Sequence, residues 1–209
     1  MINAIYPEKQ VLKNHFFGHD YFILRDEFIY SSQKEVKKDI ENILITFGGV
    51  DPNNYTKKVI ETIYDYCQSN NISITVIAGF GYTKYDTLKE FKDITILENV
   101  TNISKYMLES DLIFTSAGRT TYEIASIGIP TIVLAQNKRE LTHFFASSEF
   151  GFLNLGLGFN ITSADLYKNF IDIITSFENR KYMNELMKKI DLKSGRKTVI
   201  KLIQDLIEE

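Results

Sequence analysis

The chain has 209 residues, 44% of them hydrophobic, which is enough for one large domain with a substantial core. Its 24 basic and 27 acidic residues give a net charge of −3, which excludes the strongly basic surface typical of proteins that bind nucleic acids or anionic membranes. One cysteine, Cys67, excludes an internal disulfide framework, and no apolar run reaches the roughly 20 residues of a membrane-spanning helix. We therefore expect a cytoplasmic protein with no nucleic-acid partner and no integral membrane contact.

Residues 1–42 differ in pattern from the rest of the chain. Aromatic clusters there are interrupted by Gly18 and by charges, and no regular helical period is present. We interpret this segment as an extended arm, or the remnant of an interdomain linker, that packs on a larger body. Within it, the charged residues 33–41 are expected to form a solvated connector.

Residues 43–209 alternate between short apolar runs and amphipathic stretches. Strands are predicted at residues 43–47, 72–77, 94–97, 112–115 and 131–134. Helices are predicted at residues 53–69, 88–91 and 103–108, and at residues 164–177, 180–190 and 194–207. Two further helices are predicted, one that begins near residue 120 and one that ends at residue 151. This alternation predicts an α/β fold, with a Rossmann-like parallel sheet covered by helices on both faces.

Glycine-rich turns follow three of these strands, at Gly48-Gly49, at residues 79–81 and at residues 116–118. Because parallel strands end at one edge of a sheet, all three turns fall where such sheets bind ligands. The glycines either let a phosphate or sugar approach the backbone or simply permit a tight turn. Asp51 likewise either contacts a ligand or initiates the next helix.

The sequence SAGRTTYE at residues 116–123 has two interpretations. In the first, the amides of Gly118, Arg119 and Thr120 bind a diphosphate at the positive end of a helix, and Glu123 accepts hydrogen bonds from a ribose diol. In the second, Thr120 and Glu123 form a capping box and serve only to start the helix.

Few other residues suggest chemistry. Asn137 follows the fifth strand and either reaches substrate or belongs to a polar loop, and His143 is placed on a helix as a structural histidine. Motifs of P-loop, dinucleotide-binding, metal-binding and nucleophile-elbow types are all missing from the sequence. We assign no catalytic residue, no metal and no cofactor.

Three segments together resemble the carboxyl-terminal domain of two-domain glycosyltransferase-B (GT-B) proteins: residues 43–52, residues 111–123 and Gly128-Ile129-Pro130. The nearest likeness is to the PseG/SpsG group, which comprises a UDP-sugar hydrolase of pseudaminic acid synthesis and a spore-coat polysaccharide protein; MurG-type transferases are more distant. Residues 21–28 resemble the LRxEF segment with which this group enters its second domain. The resemblance implies a UDP-linked sugar bound between two Rossmann-like domains.

The resemblance also implies a set of contacts. The implied substrate-binding residues are Gly48, Gly49, Asp51, Asn99, Val100, Ser116, Gly118, Arg119, Thr120, Glu123 and Asn137. Of these, the glycine pair would approach the phosphates or sugar, residues 118–120 would hold the diphosphate, and Glu123 the ribose. The loop at residues 98–100 would meet the base through its backbone.

The chain departs from this group in two respects. The resemblance implies an amino-terminal domain with a histidine base, and no segment of these 209 residues matches it. We therefore expect residues 1–42 to be an arm and residues 43–209 a nucleotide-sugar-binding domain, without turnover of their own. Asn137 is followed by Lys138 where the group often has glutamine, which leaves the sugar open.

The resemblance favours nucleotide-sugar hydrolysis in surface-sugar biosynthesis, of the pseudaminic, sialic-acid-like or polysaccharide type. Transfer of a UDP-sugar to a glycan or lipid acceptor is the alternative. A non-catalytic domain is also considered, including one fused to a cytidylyltransferase domain of a CMP-sugar synthetase.

Overall fold

A computed structural model describes residues 1–6 and 14–208, and it confirms the predicted α/β fold. The strands are β1 (Ile2–Asn3), β2 (Phe16–Phe17), β3 (Asn42–Thr46), β4 (Ser73–Ala78), β5 (Ile94–Glu98), β6 (Leu112–Thr115), β7 (Thr131–Ala135) and β8 (Phe152–Leu157). The α-helices are α1 (Asp26–Ile29), α2 (Tyr55–Ser69), α3 (Ile103–Glu109), α4 (Thr120–Ile127), α5 (Ser163–Ile174), α6 (Phe177–Lys188) and α7 (Gly195–Glu208). In this part of the chain, every helix is too short or too polar to cross a membrane.

Six strands form one parallel sheet in the order β5-β4-β3-β6-β7-β8. The order of the strands reverses between β3 and β6, which is the topological switch point of a Rossmann-like sheet. Because every strand runs the same way, the turns after β3, β4, β5 and β6 all lie at one edge. The sequence predicted this common edge correctly.

Two hydrophobic cores cover the two faces of the sheet. Alternate residues of β3 divide between them: Ile43 and Ile45 pack with α2 and α5, whereas Leu44 packs with α1, α3 and α4. This division follows from the period of two residues along a strand. Since both faces are covered, the central strands are apolar throughout, as expected for a parallel sheet.

The arm contributes to the second core. Its strands β1 and β2 pair in parallel, and the side chains of Phe22, Leu24 and Phe28 are buried against α4 and its neighbours. Residues 7–13 of the predicted arm, and residue 209 of the predicted domain, lie outside the described residues.

The connector at residues 33–41 is largely exposed, as expected, and its backbone is anchored to the body of the domain. Arg180 of α6 is fully buried and donates to the carbonyl oxygen of Lys38 at 2.6 Å and to that of Lys37 at 3.3 Å. The same guanidinium donates to the Ile174 carbonyl at 2.7 Å. Hydrogen bonds to several carbonyls make burial of this cation tolerable and tie the connector to the end of α5.

One strand of the six-stranded sheet, β8, was not predicted, and neither were the two short strands of the arm. Residues 148–150 form a short 3₁₀ turn instead of the expected helix, and Gly151, at φ 88°, leads directly into β8. Asn154 and Gly156 interrupt the apolar pattern of β8, which lies half-buried at the edge of the sheet. The predicted helix at 88–91 is likewise a 3₁₀ turn at Tyr85–Leu88.

We expect Phe28→Ala to destabilise the whole domain, although Phe28 belongs to the arm. Its ring is fully buried, so truncation leaves a cavity that costs about 3–5 kcal/mol. Tyr30→Ala is the matched control, because Tyr30 is 83% exposed two residues away and its loss should cost less than about 0.5 kcal/mol. Urea unfolding measures both; equal midpoints would show that the arm is not part of the cooperative core.

Candidate functional site

A crevice of about 390 Å³ opens at the switch point between β3 and β6. Six of the predicted site residues line it: Gly48, Gly49, Asn99, Val100, Thr120 and Glu123. A smaller apolar groove of about 180 Å³ includes the first residues of β8 and therefore lies toward the opposite edge of the sheet. The crevice is the better candidate because it combines the strand carboxyl ends with charged side chains.

The loops after β3 and β4 touch through their backbones. A Cβ atom added to Gly79 would lie 2.4 Å from the Cα of Gly49, so only glycine fits there. The amide of Gly81 donates to the carbonyl of Gly49 at 2.8 Å and joins the two loops. By contrast, a Cβ added to Gly48 or Gly49 would meet nothing within 4 Å, so this turn faces open space.

The beginning of α4 has no side-chain cap, and the predicted capping box is not formed. Thr121 Oγ1 donates to the carbonyl of Gly118 at 2.8 Å, and the carboxylate of Glu123 binds elsewhere. Within residues 1–6 and 14–208, no acceptor binds the amides of Gly118, Arg119 and Thr120. Unpaired amides at the positive end of a helix are suited to bind an anion.

Glu123 forms an ion pair with Arg25 of the arm inside the crevice. Arg25 Nε donates to Glu123 Oε1 at 2.8 Å, and a second guanidinium nitrogen lies 2.8 Å from Glu27 Oε1. Glu27 in turn accepts a hydrogen bond from the amide of Ser104 at the start of α3, at 2.9 Å. Burial raises the pKa of Glu123 and outweighs the lowering effect of Arg25. The side chain is 13% exposed and lines the crevice.

Arg25 was not among the predicted site residues. It is the arginine of the segment that resembles LRxEF, so the sequence contained the signal. The long separation from Glu123 hid the pairing, since the two residues are 98 positions apart.

Glu140 is a second half-buried carboxylate that the sequence did not reveal. Its Oε2 atom accepts the amide of Gln136 at 2.8 Å and that of Ala117 at 3.2 Å, which joins the loops after β7 and β6. Burial raises the pKa of Glu140 despite these two hydrogen bonds. The carboxylate satisfies the amide of Ala117, whereas the amides of Gly118 and Arg119 have no acceptor among the described residues.

Two predicted residues use their polar groups within the fold. The buried Asp51 accepts the amides of Tyr55 at 2.9 Å and Thr56 at 2.8 Å, which is the helix-initiating role considered for it. Asn137 Oδ1 accepts the amides of Arg139 at 3.0 Å and Glu140 at 3.1 Å and so shapes a turn. Neither residue lines the crevice in the described part of the chain.

Three other predicted site residues, Ser116, Gly118 and Arg119, lie beside the crevice but do not line it in the described part of the chain. Ser116 is buried, and Gly118 contributes its backbone next to Thr120. The guanidinium of Arg119 lies 5.9 Å from the ring centre of Phe22 and lines a separate cavity of about 250 Å³ beside the arm. The side chain of Arg119 therefore points toward the arm, and only its backbone amide lies near the crevice.

His143 is not on a helix, contrary to the sequence interpretation. It follows the 3₁₀ turn Glu140–Thr142, and its Nδ1 lies 2.5 Å from the carbonyl oxygen of Ala117. Its contact supports the 116–118 loop, which agrees with a structural histidine.

Comparison with protein-family models finds no match. The chain is 37% identical over 146 residues to an uncharacterized protein of Methanocaldococcus jannaschii, a match that covers 65% of this chain and 30% of that protein. It is 24% identical over 198 residues to the spore coat polysaccharide biosynthesis protein SpsG of Bacillus subtilis, covering 92% of this chain and 58% of SpsG. The chain thus spans less than two thirds of either relative.

Solved structures share the fold. The structure of MurG from Acinetobacter baumannii superposes with a TM-score of 0.64 and 15% identity, and the match covers 97% of this chain and 59% of MurG. A UDP-GlcNAc 2-epimerase of Neisseria meningitidis, bound to UDP-GlcNAc, matches 81% of this chain with 46% of its own, at a TM-score of 0.60 and 15% identity. The domain therefore has the Rossmann-like fold of GT-B proteins.

We expect Gly79→Ala to destabilise the domain, because its new methyl group would collide with the backbone of Gly49. Overpacking of this kind costs about 1–3 kcal/mol. Gly49→Ala is the matched control from the same contact, since its methyl group would point into open space. Thermal unfolding compares them; a Gly79→Ala midpoint equal to that of the wild type would show that the two loops are not in contact.

Proposed function

We propose that the crevice binds the nucleotide part of a UDP-sugar, and that this chain is the carboxyl-terminal half of a two-domain, cytoplasmic GT-B-type enzyme of surface-sugar biosynthesis. One observation carries the proposal: amides at the start of α4 that have no acceptor among the described residues lie beside a crevice that is lined by the half-buried carboxylate of Glu123. The relationship to SpsG and the fold shared with UDP-sugar proteins support it. In this proposal, residues 1–42 are the linker arm and residues 43–209 the binding domain.

The diphosphate would lie at the amides of Gly118, Arg119 and Thr120. These donors, together with the guanidinium of Arg25, would stabilise the negative charge that builds up when a nucleoside diphosphate leaves the sugar. The donors are fixed by the helix and by the Arg25 ion pair, so little reorganisation is needed when the bond breaks. The chain itself thus supplies leaving-group stabilisation.

Glu123 would accept hydrogen bonds from the ribose hydroxyls. Among the described residues only its Oε1 atom accepts a side-chain hydrogen bond, from Arg25, so the ionised carboxylate keeps acceptor capacity. The backbone of Asn99 and Val100 would meet the base, and the open turn at Gly48 and Gly49 would admit the phosphates or the sugar.

The reaction we propose is hydrolysis of the bond between the anomeric carbon and the diphosphate oxygen. A water molecule attacks the anomeric carbon, and a base on the amino-terminal domain takes its proton. The resemblance to the PseG/SpsG group favours hydrolysis over sugar transfer. In either reaction this chain alone would bind nucleotide without turning it over.

Calorimetry with UDP tests the site, and we expect Glu123→Gln to weaken binding. Loss of a charged hydrogen-bond partner costs about 1.5–3 kcal/mol, which corresponds to roughly 10- to 100-fold in affinity. Glu149→Gln is the control, because Glu149 is an exposed glutamate away from the crevice. CMP and GDP should bind more weakly than UDP. The proposal fails if none of the three nucleotides produces heat at millimolar concentration.

Binding of UDP-GlcNAc should weaken as the pH is lowered from about 8 to about 5. Only the ionised Glu123 accepts two hydrogen bonds, and because burial raises its pKa, it protonates at a higher pH than an ordinary glutamate. The sugar esterifies the terminal phosphate, so the ligand does not titrate in this range. Glu123→Gln should show a flat profile, measured by calorimetry at each pH. An identical slope in both proteins would assign the titration to another group.

A further inference from the structure

Phe80 is a large aromatic residue placed on the rim of the crevice with its side chain in solvent. It is 92% exposed and lines the crevice from the turn after β4. Exposed apolar residues are common on surfaces, but a fully exposed ring at the mouth of a concave, charged site is positioned to cover a ligand.

The backbone beneath Phe80 is fixed. The two flanking glycines both pack against Gly49 of the neighbouring loop. Gly79 lies so close that an added Cβ atom would be 2.4 Å from the Cα of Gly49, and the amide of Gly81 donates to the carbonyl of Gly49 at 2.8 Å. The amide of Tyr82 closes the turn on the carbonyl of Gly79 at 3.0 Å. The ring is therefore presented from a braced turn, which lowers the entropy lost when it packs on a ligand.

The position of Phe80 within the sheet selects the part of the ligand. Strand β4 lies between β3 and β5, so the turn that carries Phe80 lies between the Gly48-Gly49 turn and the loop of Asn99 and Val100, and all three line the crevice. The amide of Asn99 donates to the carbonyl of Ala78 at 3.3 Å and holds that loop against the base of the Phe80 turn. A flat group bound at Asn99 and Val100 would lie within reach of the ring.

We propose that Phe80 is the stacking platform for the nucleobase, an inference that rests on the proposed function. A ring contributes affinity through the π-face of any base, whereas hydrogen bonds to the edge of the base provide identity. Phe80 therefore sets how tightly the nucleoside end is held, and the backbone of Asn99 and Val100 sets which base is preferred.

The sequence contains no tryptophan, so Phe80→Trp introduces a single fluorescent reporter. UDP should quench its emission, because a base stacks on the indole, and inorganic pyrophosphate at the same concentration should not. Phe159→Trp is the matched control: Phe159 is 74% exposed and does not line the crevice. Its emission should stay unchanged with both ligands.

Phe80→Ala measures the contribution to affinity. Calorimetry should show UDP binding weakened at least about fivefold, the lower end of what one base–aromatic stack provides. UDP and CMP should lose affinity by the same factor, since the ring does not read the base edge. Phe159→Ala should bind UDP as the wild type does.

The outcomes separate this inference from the proposed function. Two results would show that Phe80 is not a base platform while the nucleotide site stands. In the first, wild-type protein and Phe80→Ala bind UDP equally well. In the second, the emission of Phe80→Trp responds to UDP-GlcNAc and not to UDP. If wild-type protein does not bind UDP at all, both proposals are wrong.

Discussion

The crevice exists because two neighbouring parallel strands send their following helices to opposite faces of the sheet. After β3 the chain turns to α2 on one face, and after β6 it turns to α4 on the other. The turns diverge, and a gap is left between them that the fold does not fill. The unpaired amides, the open glycine turn and the Glu123 carboxylate are all located by that divergence.

Two half-buried carboxylates lie on either side of the loop after β6. Glu140 takes the amide of Ala117 and fixes the loop from within, while Glu123 faces the crevice and is balanced by Arg25. Burial raises the pKa of each carboxylate, and the hydrogen bonds that each accepts offset part of the cost of burying its charge. The loop is thus held at Ala117, and the amides of Gly118 and Arg119 have no acceptor in the described part of the chain.

The sequence predicted what depends on local pattern. Continuous apolar runs identified five strands of the sheet, and the glycine turns marked the edge where their ends meet. The half-buried edge strand β8 was missed because Asn154 and Gly156 break the apolar run. Local pattern also allowed a capping box at residues 120–123, which the fold does not form because Glu123 binds a distant arginine. Contacts between remote segments, such as those of Arg25 and Arg180, leave no periodic trace in the sequence.

The docking of the arm on α4 sets an order of events during synthesis. Arg25 and Glu123 are 98 positions apart, and the ring of Phe22 stacks at 4.0 Å on that of Tyr122, a comparable distance along the chain. A ribosome adds about 5–20 residues per second, so the apolar side chains of the arm wait on the order of ten seconds for their partner. During that interval the nascent chain exposes Phe22, Leu24 and Phe28, and a chaperone would have its best opportunity to bind there.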